Sequence, residues 1–239
     1  SRLSSFNFSV KKKSLNFFGM NDQSINNLKV IKNSIENFSN VSKPTIICVS
    51  KTFPLIKLEP LIKSGHLHFG ENKVQEAEEK WSEKLKVLTD LKIHMVGKLQ
   101  SNKAKKAAKI FSFIHSLDNT KLADVCKKSE DDFNKRMSYF IQVNIGNETQ
   151  KSGIQLKDTK SFLKYCTEEK KLNVIGLMVL PPNDDNTEKY FNDVSNLNYE
   201  LGLNELSMGM SSDYKIAVKY KSTYLRIGSA ILGPRTFKK

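Results

Sequence analysis

Pro44-Thr45-Ile46-Ile47-Cys48-Val49-Ser50-Lys51-Thr52-Phe53-Pro54 is the stretch that decides the fold. A short apolar, β-branched run opened by a proline and closed by turn residues reads as a buried strand. In a doubly wound nucleotide-binding sheet the turn after the first strand is rich in glycine. This one holds none and carries a lysine instead. Outward from it the pattern repeats. The spacing predicts further strands over 66–70, 93–97, 111–116, 139–145, 174–179, 206–210 and 224–228. Helical spacing fills the intervals, for example over 55–62, 74–85, 121–128, 156–167, 189–201 and 213–220. Ahead of the first strand, Ile25, Leu28, Ile31 and Ile35, with Phe38, recur at helical intervals. Eight strands separated by helix-length segments predict an α/β protein, a (β/α)8 TIM-type barrel with an extra N-terminal helix.

Residues 21–239 are expected to form that single barrel. Residues 1–20 carry Arg2, Lys11, Lys12 and Lys13 among Ser and Phe, with no acid, and are expected to lie outside it as a disordered or targeting arm. The longest apolar runs are of the Thr45–Val49 kind, far short of the ~18–20 residues of a membrane-spanning helix. The three cysteines, Cys48, Cys126 and Cys166, are too scattered for a disulfide framework or a zinc cluster, so a reducing, cytoplasmic setting is expected. The net charge of +14 raises nucleic acid as a partner. Its lysines are interspersed with acids, however. The densest group, Lys98, Lys103, Lys105, Lys106 and Lys109, lacks the interleaved aromatics on which bases stack. Nucleic-acid binding is therefore the lesser reading.

A barrel binds its ligand at the C-terminal ends of its strands. Strand alternation puts Lys51 on the face of Ile47 and Val49, opposite Cys48. An amine desolvated there loses its proton more easily and can attack a carbonyl. The seventh candidate strand runs into Ser207-Met208-Gly209-Met210-Ser211-Ser212-Asp213, and the eighth ends in Arg226-Ile227-Gly228-Ser229. Barrels commonly bind phosphate at those two loops, where hydroxyls and glycine amides approach an anion without obstruction. A lysine facing a phosphate cup points to an aldehyde-bearing phosphate cofactor, pyridoxal 5'-phosphate (PLP), with Arg226 near the far edge of its ring.

The runs Val49-Ser50-Lys51-Thr52, Phe69-Gly70-Glu71-Asn72, Leu99-Gln100-Ser101-Asn102-Lys103, Lys151-Ser152-Gly153, Gly176-Leu177-Met178, Leu206–Ser211 and Arg226-Ile227-Gly228-Ser229 together resemble the pyridoxal phosphate homeostasis proteins. That family shares the barrel of the alanine-racemase N-terminal domain. The resemblance implies that Lys51 is the Schiff-base lysine and that Arg226 faces the pyridine nitrogen. It also implies that Ser207, Gly228 and Ser229, with Ser211 beside them, contact the phosphate, and that Asn72 lines the pocket. Lys98 and the Val179-Leu180-Pro181-Pro182 turn depart from the family pattern beside that site. The implied role is intracellular PLP homeostasis, with PLP-dependent apo-enzymes as recipients, by a carrier and not an enzyme.

Chemistry points the same way. An arginine keeps its proton at ordinary pH, so it serves an unprotonated ring nitrogen and leaves the ring a weak electron sink. A racemase on this plan also needs a second base, which its relatives take from a tyrosine of another domain. The sequence ends at Lys239, eleven residues past Gly228, and Tyr214, Tyr220 and Tyr224 fall in helix or strand patterns. A PLP-dependent racemase is the enzyme alternative. Zinc held by His66, His68, His94 and His115 is another, against the expectation that these histidines are packed or solvated and that no metal is bound.

Overall fold

The structure, a computed structural model, describes residues 22–36, 38, 43–146 and 152–234. The expected arm at 1–20 lies outside them. The strands are β1 (Thr45–Val49), β2 (His68–Glu71), β3 (Lys92–Met95), β4 (Phe113–Leu117), β5 (Ser138–Asn144), β6 (Ile154–Gln155), β7 (Asn173–Val179), β8 (Glu205–Ser207) and β9 (Tyr224–Ile227). All pair in parallel, in the order β4-β3-β2-β1-β9-β8-β7-β5, and a β4–β5 pairing closes the cylinder. The two-residue β6 adds to the end of β5 at Val143 and Asn144. The helices are α1 (Gln23–Glu36), α2 (Glu59–Lys63), α3 (Val74–Val87), α4 (Ala104–Ile110), α5 (Thr120–Phe133), α6 (Thr159–Lys164), α7 (Thr187–Glu200), α8 (Tyr214–Lys219) and α9 (Ser229–Leu232). This is the expected closed (β/α)8 barrel, with α1 as the extra helix.

Each strand divides its residues between two cores. In β1, Ile46 and Cys48 join the apolar layer between sheet and helices, while Ile47 is fully buried outside that layer. Alternation of this kind is what a pleated strand imposes. The helices present matching stripes: Leu28, Ile31 and Ile35 from α1, and Leu122, Ala123 and Cys126 from α5. Local chemistry sets the ends of α5. Asn119 Oδ1 accepts from the Leu122 amide at 2.8 Å, and Asn134 closes the helix at φ 45°. Asn27 Nδ2 donates to the Ile231 carbonyl at 2.9 Å and ties α1 to α9.

Several boundaries move. The expected strand at 66–70 begins only at His68, because 64–67 form the exit from α2. The expected helix over 156–167 is a 3-10 turn, then α6, then a π-helical turn at Tyr165–Glu169. The seventh strand stops at Ser207, three residues early. The lysine-rich stretch carries α4, whose Ala104, Ala107, Ala108 and Ile110 are buried while its lysines face outward. Lys105 and Lys106 pair there with Asp132 and Glu78. Among the described residues, no helix is long and apolar enough to cross a membrane.

Candidate cofactor site

At the C-terminal ends of the strands lies a cavity of about 510 Å³. Lys51, Asn72, Ser211, Arg226, Gly228 and Ser229 line it, together with Val49, Phe53, Val96, Leu180, Met210, Ser212 and Gly233. Residues from both ends of the chain meet here because β1 and β9 are neighbours in the closed sheet, with Ile47 opposite Arg226. Ser207 is the exception among the expected residues. It does not line the cavity. Its hydroxyl is completely buried and is engaged by His115 and Arg226. Of the two departures from the family pattern, Leu180 is on the wall and Lys98 lines a neighbouring hollow with Asn72 and Gly97. Lys151 falls outside the described residues.

The strand ends at Val49, so Lys51 is carried by a turn. That turn is clamped from three sides. Ser50 Oγ donates to Glu71 Oε1 at 2.6 Å, Lys80 Nζ donates to the Ser50 carbonyl at 2.8 Å, and the Thr52 amide donates to Glu76 Oε1 at 2.5 Å. The clamp holds Thr52 at φ 70°, a left-handed conformation that a β-branched residue adopts only under constraint. Glu71 is fully buried and also accepts from Lys80 Nζ and Trp81 Nε1. In the bend after β3, Gly97 admits the Asn72 backbone: a Cβ there would lie 2.5 Å from the Asn72 carbonyl oxygen.

Arg226 lines the cavity from β9, the strand beside β1, and is almost fully buried. Its Nη1 donates to Ser207 Oγ at 2.6 Å and its Nη2 to the Val179 carbonyl at 2.8 Å. No carboxylate pairs with it among the described residues. Burial lowers its pKa to about 10, opposed by the charge of Asp213, so it stays cationic at neutral pH. The loop after β8 turns through Gly209 at φ 98°, and the Ala230 amide donates to Ser211 Oγ at 3.1 Å, which ties that loop to α9.

The four histidines do not converge on one point. Each ring is hydrogen-bonded within a line that crosses the barrel, and His66 precedes the strand that was expected to hold it. From sequence alone Ser50, Glu71, Glu76 and Lys80 had no role, and the histidines arose only as alternative zinc ligands. The Glu76/Lys80 pair has helical i,i+4 spacing and was open to discovery; the rest depended on which strands become neighbours.

The family model described as "Alanine racemase, N-terminal domain" matches residues 25–236. The pyridoxal phosphate homeostasis protein of Aquifex aeolicus is 35% identical over 201 residues, covering 80% of this chain and 87% of that protein. The protein of the same name from Haemophilus influenzae is 33% identical over 226 residues, covering 88% of this chain and 95% of its own. The solved structure of PipY from Synechococcus elongatus with PLP bound superposes with a TM-score of 0.79 at 32% identity, covering 88% of this chain and all of that one. Alanine racemase from Bartonella henselae shares the fold, at a TM-score of 0.69 and 14% identity, with 90% of this chain matching 61% of that one. The chain belongs to the alanine racemase N-terminal domain family, in its branch of pyridoxal phosphate homeostasis proteins.

Proposed function

We propose that this protein binds PLP as a Schiff base on Lys51 and serves its homeostasis, without robust catalysis. The observation that carries the reading is the composition of one cavity's lining: an amine on the first strand's turn and a guanidinium on the last strand, together with Ser211, Gly228 and Ser229. The donor set fits the group. A lysine amine suits an aldehyde, serine hydroxyls suit a phosphate, and an arginine that stays charged suits an unprotonated pyridine nitrogen. When bound, PLP supplies an electrophilic aldehyde and an electron-withdrawing ring. Asn72 and Leu180 bound the pocket. Ser207 supports Arg226 from below and is not proposed as a phosphate contact.

Among the described residues lining the cavity, Lys51 and Arg226 are the ionisable ones; the wall holds no Tyr, His, Asp, Glu or Cys. This favours holding over proton transfer at two faces of a substrate. Release to PLP-dependent apo-enzymes and a cytoplasmic setting belong to the same proposal, the latter supported by three buried free thiols. The test is absorption spectroscopy of the PLP-loaded protein before and after borohydride reduction, followed by peptide mapping. A reduced adduct on the Lys51 peptide is expected; an adduct elsewhere, or none, overturns the proposal. Incubation with L- and D-amino acids and chiral analysis decides between holding and racemisation. Salt-sensitive binding of duplex or single-stranded nucleic acid would favour the charge-based alternative.

A further inference from the structure

All four histidines of the sequence lie along one path through the barrel. His66 Nε2 donates to the His68 carbonyl at 2.8 Å. His68 Nδ1 is 2.9 Å from His94 Nε2, His94 Nδ1 is 2.9 Å from His115 Nε2, and His115 Nδ1 is 2.8 Å from Ser207 Oγ. Ser207 then meets Arg226 at the cofactor cavity. The path starts at the opposite end of the barrel, where His66 and His68 line a separate cavity with α1. Packing fixes the rings: His94 stacks on Phe113 with centroids 4.3 Å apart, and His115 stacks on Phe140 at 4.4 Å.

A neutral imidazole donates from one nitrogen and accepts at the other, so a chain of them runs in one of two directions. If Ser207 Oγ donates its hydrogen bond to His115 Nδ1, every ring carries its hydrogen on Nε2. Ser207 then accepts from Arg226 and donates to His115, and each polar atom between them is matched. In the reverse direction Ser207 would accept from both neighbours, and its own proton would have no acceptor among the described residues. Electrostatics agrees. The first direction turns the negative ends of the bond dipoles toward the guanidinium, and the reverse turns their positive ends toward it. The charges near the rings are cationic: Arg226 at His115, Lys92 at His68 and Lys32 at His66. Together with burial they keep these imidazoles neutral.

We propose that His68, His94 and His115 form a one-way hydrogen-bond chain, each ring protonated on Nε2, which ends on Ser207 and holds the Arg226 guanidinium in place at the cofactor cavity. A buried cation with no carboxylate in ion-pair contact among the described residues is here supported by three polarised neutral rings. His115 and His94 are thus positioning residues, acting through Ser207. That positioning role rests on the PLP reading; the polarity of the chain does not.

The decisive measurement is long-range proton–nitrogen correlation NMR of the full chain, labelled with nitrogen-15 histidine and free of PLP. His68, His94 and His115 should each show a protonated Nε2 and a bare Nδ1. A protonated Nδ1 on His115, or an imidazolium in the chain, overturns the polarity. PLP titration of the variants then tests positioning against the unsubstituted protein. His115→Phe should bind PLP about tenfold more weakly, the loss of one hydrogen bond that supports a charged group. His115→Asn, whose amide oxygen can accept from Ser207 in place of Nδ1, should recover most of that loss. Binding by His115→Phe equal to the unsubstituted protein would refute the positioning role. Failure of the unsubstituted protein to bind PLP would instead strike the cofactor reading, leaving the tautomers as measured.

Discussion

Ser50 Oγ donates to Glu71 Oε1 across the β1–β2 boundary at 2.6 Å, one residue before the lysine on which the site turns. Glu71 joins three donors on a single oxygen, from Ser50, Lys80 and Trp81, and Lys80 is itself almost buried. Replacing the carboxylate strands all three.

Glu71→Leu is therefore expected to destabilise the fold by about 3 kcal/mol, the lower end for breaking a buried ion pair because Lys80 keeps Glu76. Urea unfolding followed by Trp81 fluorescence reads this directly. An unchanged midpoint would show that the cluster does not hold the turn.

Gly97→Ala puts a methyl group 2.5 Å from the Asn72 carbonyl oxygen, a backbone atom that cannot swing aside as a side chain could. Displacement of Asn72 should weaken PLP binding about tenfold or more and lower stability by about 1–3 kcal/mol. Equal PLP affinity in the two proteins would show that the strand ends absorb the shift without moving the pocket.

Arg226→Gln removes the charge and the Ser207 bond but keeps an amide donor. The absorption band of the PLP-loaded protein should move, since the arginine is expected to tune the ring nitrogen, and PLP should bind at least about tenfold more weakly, no less than in His115→Phe. A spectrum identical to that of the unsubstituted protein across the titration would remove Arg226 from that position.

Stability should fall on mild acidification. Burial lowers the His66 pKa from 6.5 to about 4, and takes His94 and His115 well below 6.5. The unfolded chain then binds more protons than the folded one, so the contribution is full above about pH 6.5 and is lost as pH falls toward the folded values. His66 alone accounts for about 3 kcal/mol by pH 4. Urea midpoints that stay level between pH 7 and pH 4.5 would contradict this.

The thiols should be inert in the folded protein. Burial pushes Cys126 and Cys166 up to about 12 and Cys48 higher still. A thiol reagent at pH 8 should modify none without denaturant and all three with it. Rapid labelling of the native chain would show that one of these sites opens.

Much of the cavity wall was legible in the sequence because barrel ligands gather at strand ends, and strand ends can be counted. Lys51, Asn72, Ser211, Arg226, Gly228 and Ser229 were all located that way and by resemblance. Ser207 is set back from the cavity by register: it pairs with Tyr224, two residues before Arg226 on β9, and its hydroxyl is taken by His115 and Arg226. Its hydroxyl therefore points into the layer beneath the cavity and not at the cavity itself. The histidines looked like scattered packing because nothing local relates them.

The sequence by itself determined what each segment could bury. Alternating apolar runs separated by helical stripes admit few solutions, and a parallel barrel satisfies all of them at once. The closed sheet alone decided which residues meet. Closure makes β9 a neighbour of β1, and strand stagger brings His68, His94, His115 and Ser207 within hydrogen-bond reach of one another. Propensity acts over a few residues along the chain, whereas contact across the cylinder depends on register, which is fixed only when every strand is in place.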